Sequence, residues 1–319
     1  MKAVRVHEPG GPEVLRYEDV PDPSVGPGQV LIDVAAAGVN YMDIGRRRSA
    51  SAPDLPLILG GESAGTVAAV GEGVTEFVAG DVVAYHGPPG YAEKVVAPVA
   101  RVIKLPPGMK AETGAAIMLQ GLTAHALAHG AYNVKSGDRV LVQAGAGGVG
   151  SLLTQMAKNA GAYVFATVGS DDKIQAAKEA GADTVMNYSE QDFEEEIAEA
   201  TRGQGVHAVF DAVGKDTFLK GINCLASRGF MVSFGQASGP IEPFDPALLS
   251  RMGGYVTRTG LAHYAGTREE WLQRANELLG WVNTGKIKVR TTAYPLSKAA
   301  DAHADLQGRK TIGKLLLIP

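Results

Sequence analysis

Val140-Leu141-Val142-Gln143-Ala144-Gly145-Ala146-Gly147-Gly148-Val149-Gly150 sets a short β-branched run directly before Gly-x-Gly-x-x-Gly, and an apolar helical stretch follows it. In that context the spaced glycines have separate tasks. Gly145 permits the turn, Gly147 lets backbone reach a pyrophosphate, and Gly150 lets helix pack on strand; with Gly148 and Val149 the helix N-terminus then faces negative charge. The same rhythm continues outward from this loop. Strands are expected at Tyr163–Val168, Thr184–Asn187, His207–Asp211, Phe230–Phe234 and Gly254–Thr257, with helices from Gly148 and Asp171 and at Asp192–Thr201 and Asp216–Leu225. Six strands in βαβ alternation predict an α/β protein with a doubly wound parallel sheet of the Rossmann kind.

The N-terminal part has another grammar. Val30–Val34, Thr66–Val70, Val82–Tyr85 and Arg101–Leu105 are β-branched runs punctuated by Gly and Pro, as in a compact, mostly β domain. Ala115–His129, rich in Ala and Leu with Gly121 as its one breaker, predicts a long helix bridging the two parts. The tail carries a helix at Glu269–Val282 and strands at Thr291–Tyr294 and Lys314–Ile318, and is expected to fold back onto the first domain. The expected organisation is therefore 1–124 completed by 262–319 around a dinucleotide-binding domain at 125–261.

Thirty Lys+Arg against 34 Asp+Glu give a formal charge of -4, which argues against a nucleic-acid or membrane-surface partner and for a small one. With 45% hydrophobic residues the chain can bury two ordinary cores, so disorder is excluded. The single Cys224 excludes an intrachain disulfide framework and a multi-cysteine zinc site. No apolar run approaches the roughly 20 residues of a membrane span, so a soluble cytoplasmic protein is expected.

Several further segments carry a resemblance. Gly38-Val39-Asn40-Tyr41-Met42-Asp43, Gly60-Gly61-Glu62, Gln120-Gly121-Leu122-Thr123, Ala146–Gly150, Phe234-Gly235-Gln236-Ala237-Ser238-Gly239, Tyr255-Val256-Thr257-Arg258 and the Leu315–Pro319 terminus together resemble the zinc-free quinone oxidoreductases related to ζ-crystallin. These belong to the medium-chain dehydrogenase/reductase superfamily. The resemblance covers nearly the whole chain and implies a GroES-like catalytic domain beside the Rossmann domain, with the cofactor in the cleft between them. It also implies a homodimer through the edge strand near Tyr255.

In zinc alcohol dehydrogenases of that superfamily, the segments like 38–40 and 60–62 carry a Cys and a His ligand; here the positions are Asn40 and Gly61. A neutral amide and a glycine cannot supply thiolate and imidazole, so no catalytic zinc is expected. What remains suits hydride transfer from NADPH to an acceptor that is already electrophilic. A small quinone fits, with an alkenal or enone as the alternative and a structural or RNA-binding role as a reading of another class.

The candidate catalytic residues are Asn40, Tyr41 and Asp43. The resemblance places Asn40 beside the nicotinamide ribose and substrate; Asp43 either orients it or caps a short helix, and the Tyr41 phenol and ring could meet a flat quinone. Relatives commonly carry a Tyr five residues after the Asn, where this chain has Gly45 and then Arg46-Arg47-Arg48, read as a solvated loop or as a funnel for anionic substrates. On the cofactor side, Thr123 is expected to contact the dinucleotide. Small residues after a strand let Phe234, Gly235 and Ala237 approach the nicotinamide, and the resemblance adds Val213. The strand that should end in a ribose-binding acid ends instead in Gly169-Ser170. A clamp for the 2'-phosphate is therefore expected from Ser170 and Lys173, joined by Tyr188 and Arg309 through the resemblance, while Asp171 and Asp172 are expected to start a helix.

Overall fold

A computed structural model describes residues 1–49 and 55–319. The chain divides into two compact units, Met1–Gln120 with Thr267–Pro319, and Gly121–Gly266.

The first unit is built on β1 (Lys2–Val6), β2 (Leu15–Asp19), β3 (Gln29–Val39), α1 (Tyr41–Arg48), β4 (Leu57–Ile58), β5 (Glu62–Val70), β6 (Val82–His86), β7 (Lys94–Pro98), β8 (Val102–Lys104) and α2 (Ala111–Ile117). Its central strand β3 alternates inward Val30, Ile32 and Val34 with less buried neighbours. These pack with Val67, Val83, Tyr85, Val95 and Val102 into one apolar core. Gly38 is required where β3 ends, because a Cβ there would collide with the Glu62 carboxylate.

The predicted helix over 115–129 is not continuous. It is α2, then a break at Met118-Leu119, then α3 (Gln120–Ala126) and a wide π-type turn at Leu127–Ala131. The break has a tertiary cause: the Leu119 N–H donates to Glu62 Oε2 at 2.5 Å instead of continuing a helical ladder.

The second unit holds β9 (Arg139–Val142), α4 (Gly148–Asn159), β10 (Tyr163–Val168), α5 (Ile174–Glu179), β11 (Thr184–Asn187), α6 (Phe193–Ala200), β12 (Val206–Asp211), α7 (Phe218–Asn223), β13 (Leu225–Ser233) and β14 (Tyr255–Arg258). They form a six-stranded parallel sheet in the order β11-β10-β9-β12-β13-β14, the doubly wound topology the sequence predicts, with the order reversing between β9 and β12. Leu141, Phe165, Val209 and Met231 pack with Phe193, Ile197, Phe218 and Ile222 of the helices. Cys224 caps α7, 4% exposed, and burial pushes its thiol up to about 12, as suits a small core residue rather than a reactive one.

The chain then returns to the first unit with α8 (Arg268–Asn283), β15 (Thr291–Pro295), α9 (Ala299–Gln307) and β16 (Lys314–Ile318). Thr267 and Glu270 form a capping box that starts α8. β16 pairs antiparallel with β3 and parallel with β15, completing a seven-stranded sheet. Among the described residues no helix is long and apolar enough to cross a membrane.

Candidate active site

Asn40 sits where β3 turns into α1, in extended backbone as the helix N-cap. Its N–H donates to Asp43 Oδ2 at 2.9 Å, the acidic half of a capping box, so Asp43 both caps the helix and fixes Asn40. The Asn40 side chain is 4% exposed and engaged on both faces. Nδ2 donates to Glu62 Oε1 at 2.9 Å, and Oδ1 accepts from Lys314 Nζ at 2.8 Å and Gln120 Nε2 at 3.3 Å. Lys314, on the apolar last strand, is itself 1% exposed, and its ammonium also meets the Glu62 carboxylate and Val39 O. Sequence reasoning assigned no role to Lys314 or Glu62. The only signal was a lone Lys at the head of an otherwise wholly apolar strand.

Asp43 is fully buried and faces a second polar chain. Arg47 donates to His303 Nδ1 at 3.0 Å, which leaves the imidazole proton on Nε2; that nitrogen donates to the Tyr91 hydroxyl at 3.0 Å, and Tyr91 donates to Asp43 Oδ2 at 3.0 Å. Burial, together with the Arg47 charge, holds His303 neutral down to about 3. Burial raises the Asp43 carboxyl to about 6 against the opposing pull of the Asn40 N–H, Tyr91 and Lys314. The expectation of a solvated Arg46–Arg48 loop is thus corrected: the three arginines end α1. Arg47 is wholly buried against His303, Gln307 Oε1 at 2.9 Å and Gly10 O at 3.1 Å, while Arg46 and Arg48 are exposed. Tyr41 keeps an exposed ring, and its hydroxyl donates to Leu306 O at 2.9 Å. Gly61 leaves room for a methyl group in ordinary contact with its neighbours. A Cβ there would meet nothing nearer than Met42 Sδ at 3.6 Å and Leu119 at 3.8 Å.

In the second unit, Ala144 turns the chain at φ +57°, and the glycine loop follows. A Cβ on Gly150 would overlap the Ala144 carbonyl oxygen, and one on Gly145 would lie 2.7 Å from the Ala166 methyl, so both positions admit only glycine. Gly147 is the N-cap of α4, which leaves the N–H groups of its first turn, from Gly148, Val149 and Gly150, without intrahelical acceptors. This cradle fits a dinucleotide pyrophosphate. At the end of β10 the Tyr188 hydroxyl lies 2.9 Å from where a Gly169 Cβ would be, Ser170 and Lys173 follow, and Asp171 Oδ1 accepts from Asn187 Nδ2 at 2.9 Å. Arg309 belongs to the other unit, in left-handed backbone at φ +56° just past α9. Thr123 is half-buried on α3.

The loops after β12 and β13 are bound to one another. Phe234 N–H and Gly235 N–H reach Asp211 O, Ala237 N–H reaches Ala212 O, and Ser238 Oγ donates to Val213 O at 2.7 Å. Buried Asp211 organises this pair through Oδ1, which accepts from Val213 N–H at 2.7 Å, Gly214 N–H at 3.0 Å and Thr217 at 3.0 Å. Burial raises its carboxyl from the usual range against those bonds. In the sequence Asp211 was only the end of a strand.

Two family models match, an alcohol dehydrogenase GroES-like domain over residues 26–107 and a zinc-binding dehydrogenase over 148–279. A Pseudomonas aeruginosa protein named quinone oxidoreductase is 41% identical over 97% of each chain, and a 2-haloacrylate reductase from Burkholderia sp is 37% identical over 99% of this chain and 98% of its own. The crystal structure of Escherichia coli quinone oxidoreductase complexed with NADPH covers all of both chains at 38% identity with a TM-score of 0.96. The zinc named in the second model does not fit this donor set. Asn40 offers an amide oxygen already bound by an ammonium, Gly61 offers no ligand, and the Glu62 carboxylate is neutralised by Lys314.

Proposed function

The chain belongs to the medium-chain dehydrogenase/reductase superfamily, within it to the quinone oxidoreductases related to ζ-crystallin, and is an NADPH-dependent oxidoreductase; from that premise we propose that it reduces a small quinone without metal. The observation that carries the proposal is the Lys314 ammonium seated against Asn40 and Glu62, which leaves no Lewis acid at that turn. Bound NADPH supplies the hydride. A quinone needs no Lewis acid to accept it, because the oxyanion it forms is comparatively stable and can take its proton from solvent.

In this reading Asn40 and Asp43 hold the turn that presents Tyr41. Gly145, Gly147, Gly148, Val149 and Gly150 seat the pyrophosphate, and Thr123, Val213, Phe234, Gly235 and Ala237 serve the nicotinamide side. Ser170, Lys173 and Tyr188 receive the 2'-phosphate. The hydrogen bond from Asn187 Nδ2 to Asp171 Oδ1 supports this last assignment, since it ties one oxygen of that carboxylate to the protein. The proposal includes a cytoplasmic homodimer paired through β14, the sheet's edge strand, where Tyr255 is half exposed.

A second reading, reduction of an activated carbon-carbon double bond, is favoured by the 2-haloacrylate reductase among the relatives. The two are separated by initial rates of NADPH oxidation with a benzoquinone, a naphthoquinone, an enone and a 2-haloacrylate. The quinone proposal requires kcat/KM for a quinone at least about tenfold above the alkenes, a difference of roughly 1.4 kcal/mol in transition-state binding. The reverse order would select the second reading.

A further inference from the structure

Three arginines end α1, and the fold uses one of them. Arg47 is wholly buried against Gly10, His303 and Gln307, whereas Arg46 and Arg48 are exposed and make no ion pair or side-chain hydrogen bond among the described residues. A cation in the last turn of a helix ordinarily serves the terminal carbonyls or a neighbouring acid. Neither engages the Arg46 guanidinium, on a chain whose net charge is -4. Successive helical residues turn by about 100°, so Tyr41, Met42, Gly45 and Arg46 share the exposed face of α1 while Asp43, Ile44 and Arg47 form the buried one. That exposed face is graded along its length. At its start the Tyr41 ring, held by its hydroxyl on Leu306 O, is 42% exposed and the Met42 thioether 51%. One turn on, a Cβ at Gly45 would meet nothing within 4 Å, which leaves room beside the ring. Met42 reaches toward Gly61, its Sδ 3.6 Å from where a Gly61 Cβ would be. Arg46 leans toward the adjoining strand β6: burial raises the Tyr85 hydroxyl, and the Arg46 charge opposes that rise. Arg48 falls on the opposite edge of the face, roughly 160° from Arg46.

We propose that this face of α1 receives the electron acceptor and selects a flat ring bearing an anionic substituent, a carboxylate or a sulfonate, with Arg46 as the specificity-determining residue. The inference rests on the quinone reading and adds a substrate class to it. The ring lies against Tyr41 and Met42, over the space at Gly45, where an aromatic face and a polarizable thioether suit it. The substituent meets the guanidinium fork, whose paired donors match two oxygens of one anionic group. A hydride from NADPH and one proton convert the quinone to its hydroquinone, and the anionic group is unchanged. Because the ion pair is present both before and after hydride transfer, it lowers KM and leaves kcat alone.

The test compares NADPH oxidation with 1,4-naphthoquinone and with 1,4-naphthoquinone-2-sulfonate, at low ionic strength, in the wild type and in Arg46→Gln, Arg46→Lys and Arg48→Gln. Thermal melting checks each variant for folding. Arg46→Gln should raise KM for the sulfonate about fivefold, the worth of one exposed ion pair, with kcat unchanged and the neutral quinone within about twofold of wild type. Arg46→Lys should recover part of the loss, because it keeps the charge without the fork. Arg48→Gln removes the same charge from the same helix and should leave both quinones within about twofold. An unchanged preference between the two quinones in Arg46→Gln, or an equal loss in Arg48→Gln, overturns the proposal. If the wild type turns over neither quinone, the quinone reading itself fails, and calorimetric binding of naphthalene-2-sulfonate, which accepts no hydride, decides the pairing. Affinity about fivefold weaker in Arg46→Gln alone supports it, and equal affinity in all four proteins overturns it.

Discussion

Replacing Lys314 by Met should destabilise the first unit far more than the loss of one side chain suggests. The Glu62 carboxylate is wholly buried and would keep only the Asn40 amide and the Leu119 N–H, with no counter-charge. Removing one partner of a buried pair costs about 3–5 kcal/mol, because desolvation of the survivor is no longer offset. Lys314→Met with Glu62→Gln removes both charges. The glutamine oxygen can still accept from Leu119, so most of that loss should return, leaving about 1–2 kcal/mol from imperfect packing and weakened bonds. The coupling between the two sites should therefore be about 2 kcal/mol or more. Urea unfolding followed by tryptophan fluorescence is the suitable assay, since both tryptophans, Trp271 and Trp281, lie on α8 in the same unit as the pair. A single-variant loss below about 1 kcal/mol, or strictly additive losses in the double variant, would refute the view of this pair as a dry, mutually dependent ion pair.

Other positions give independent checks. Gly150→Ala should weaken NADPH binding at least about 100-fold, because its Cβ would displace the Ala144 carbonyl and with it the turn, whereas Gly61→Ala, with its nearest neighbours at 3.6 and 3.8 Å, should fold normally. Asp43 holds its proton up to about 6, above the unfolded value, so its ionisation disfavours the fold as pH rises through that range. Between pH 5 and 7.5 the wild type should lose about 1.4 kcal/mol relative to Asp43→Asn in parallel urea titrations, and a constant difference would show that the carboxyl is already ionised at pH 5. Lys173→Ala should cost about 1.5 kcal/mol, on the order of tenfold, in NADPH affinity and leave NADH nearly unchanged. Equal losses for the two cofactors would contradict the phosphate clamp.

The Rossmann sheet was legible because its signals are local: a glycine loop between a β-branched run and an apolar helix, then strands at a steady interval. What escaped the sequence depends on partners far along the chain. Helix periodicity over 115–129 gave no sign that Glu62, 57 residues earlier, would take the Leu119 N–H and interrupt it. Three consecutive arginines resemble a wet loop until His303 and Gln307, some 256 and 260 residues away, close around the middle one. Asn40 and Asp43 were found as a pair because a capping box is written in four adjacent residues. The Lys314 that fixes Asn40 from 274 residues away was not.

Hydride transfer to a quinone without metal is tested most directly by the rate of NADPH oxidation with 1,4-benzoquinone after exhaustive chelation, measured with and without stoichiometric zinc. The geometry around Lys314, Asn40 and Glu62 predicts the same rate in both samples, equal to that of the untreated enzyme. A rate that vanished on chelation and returned with one equivalent of zinc would contradict it.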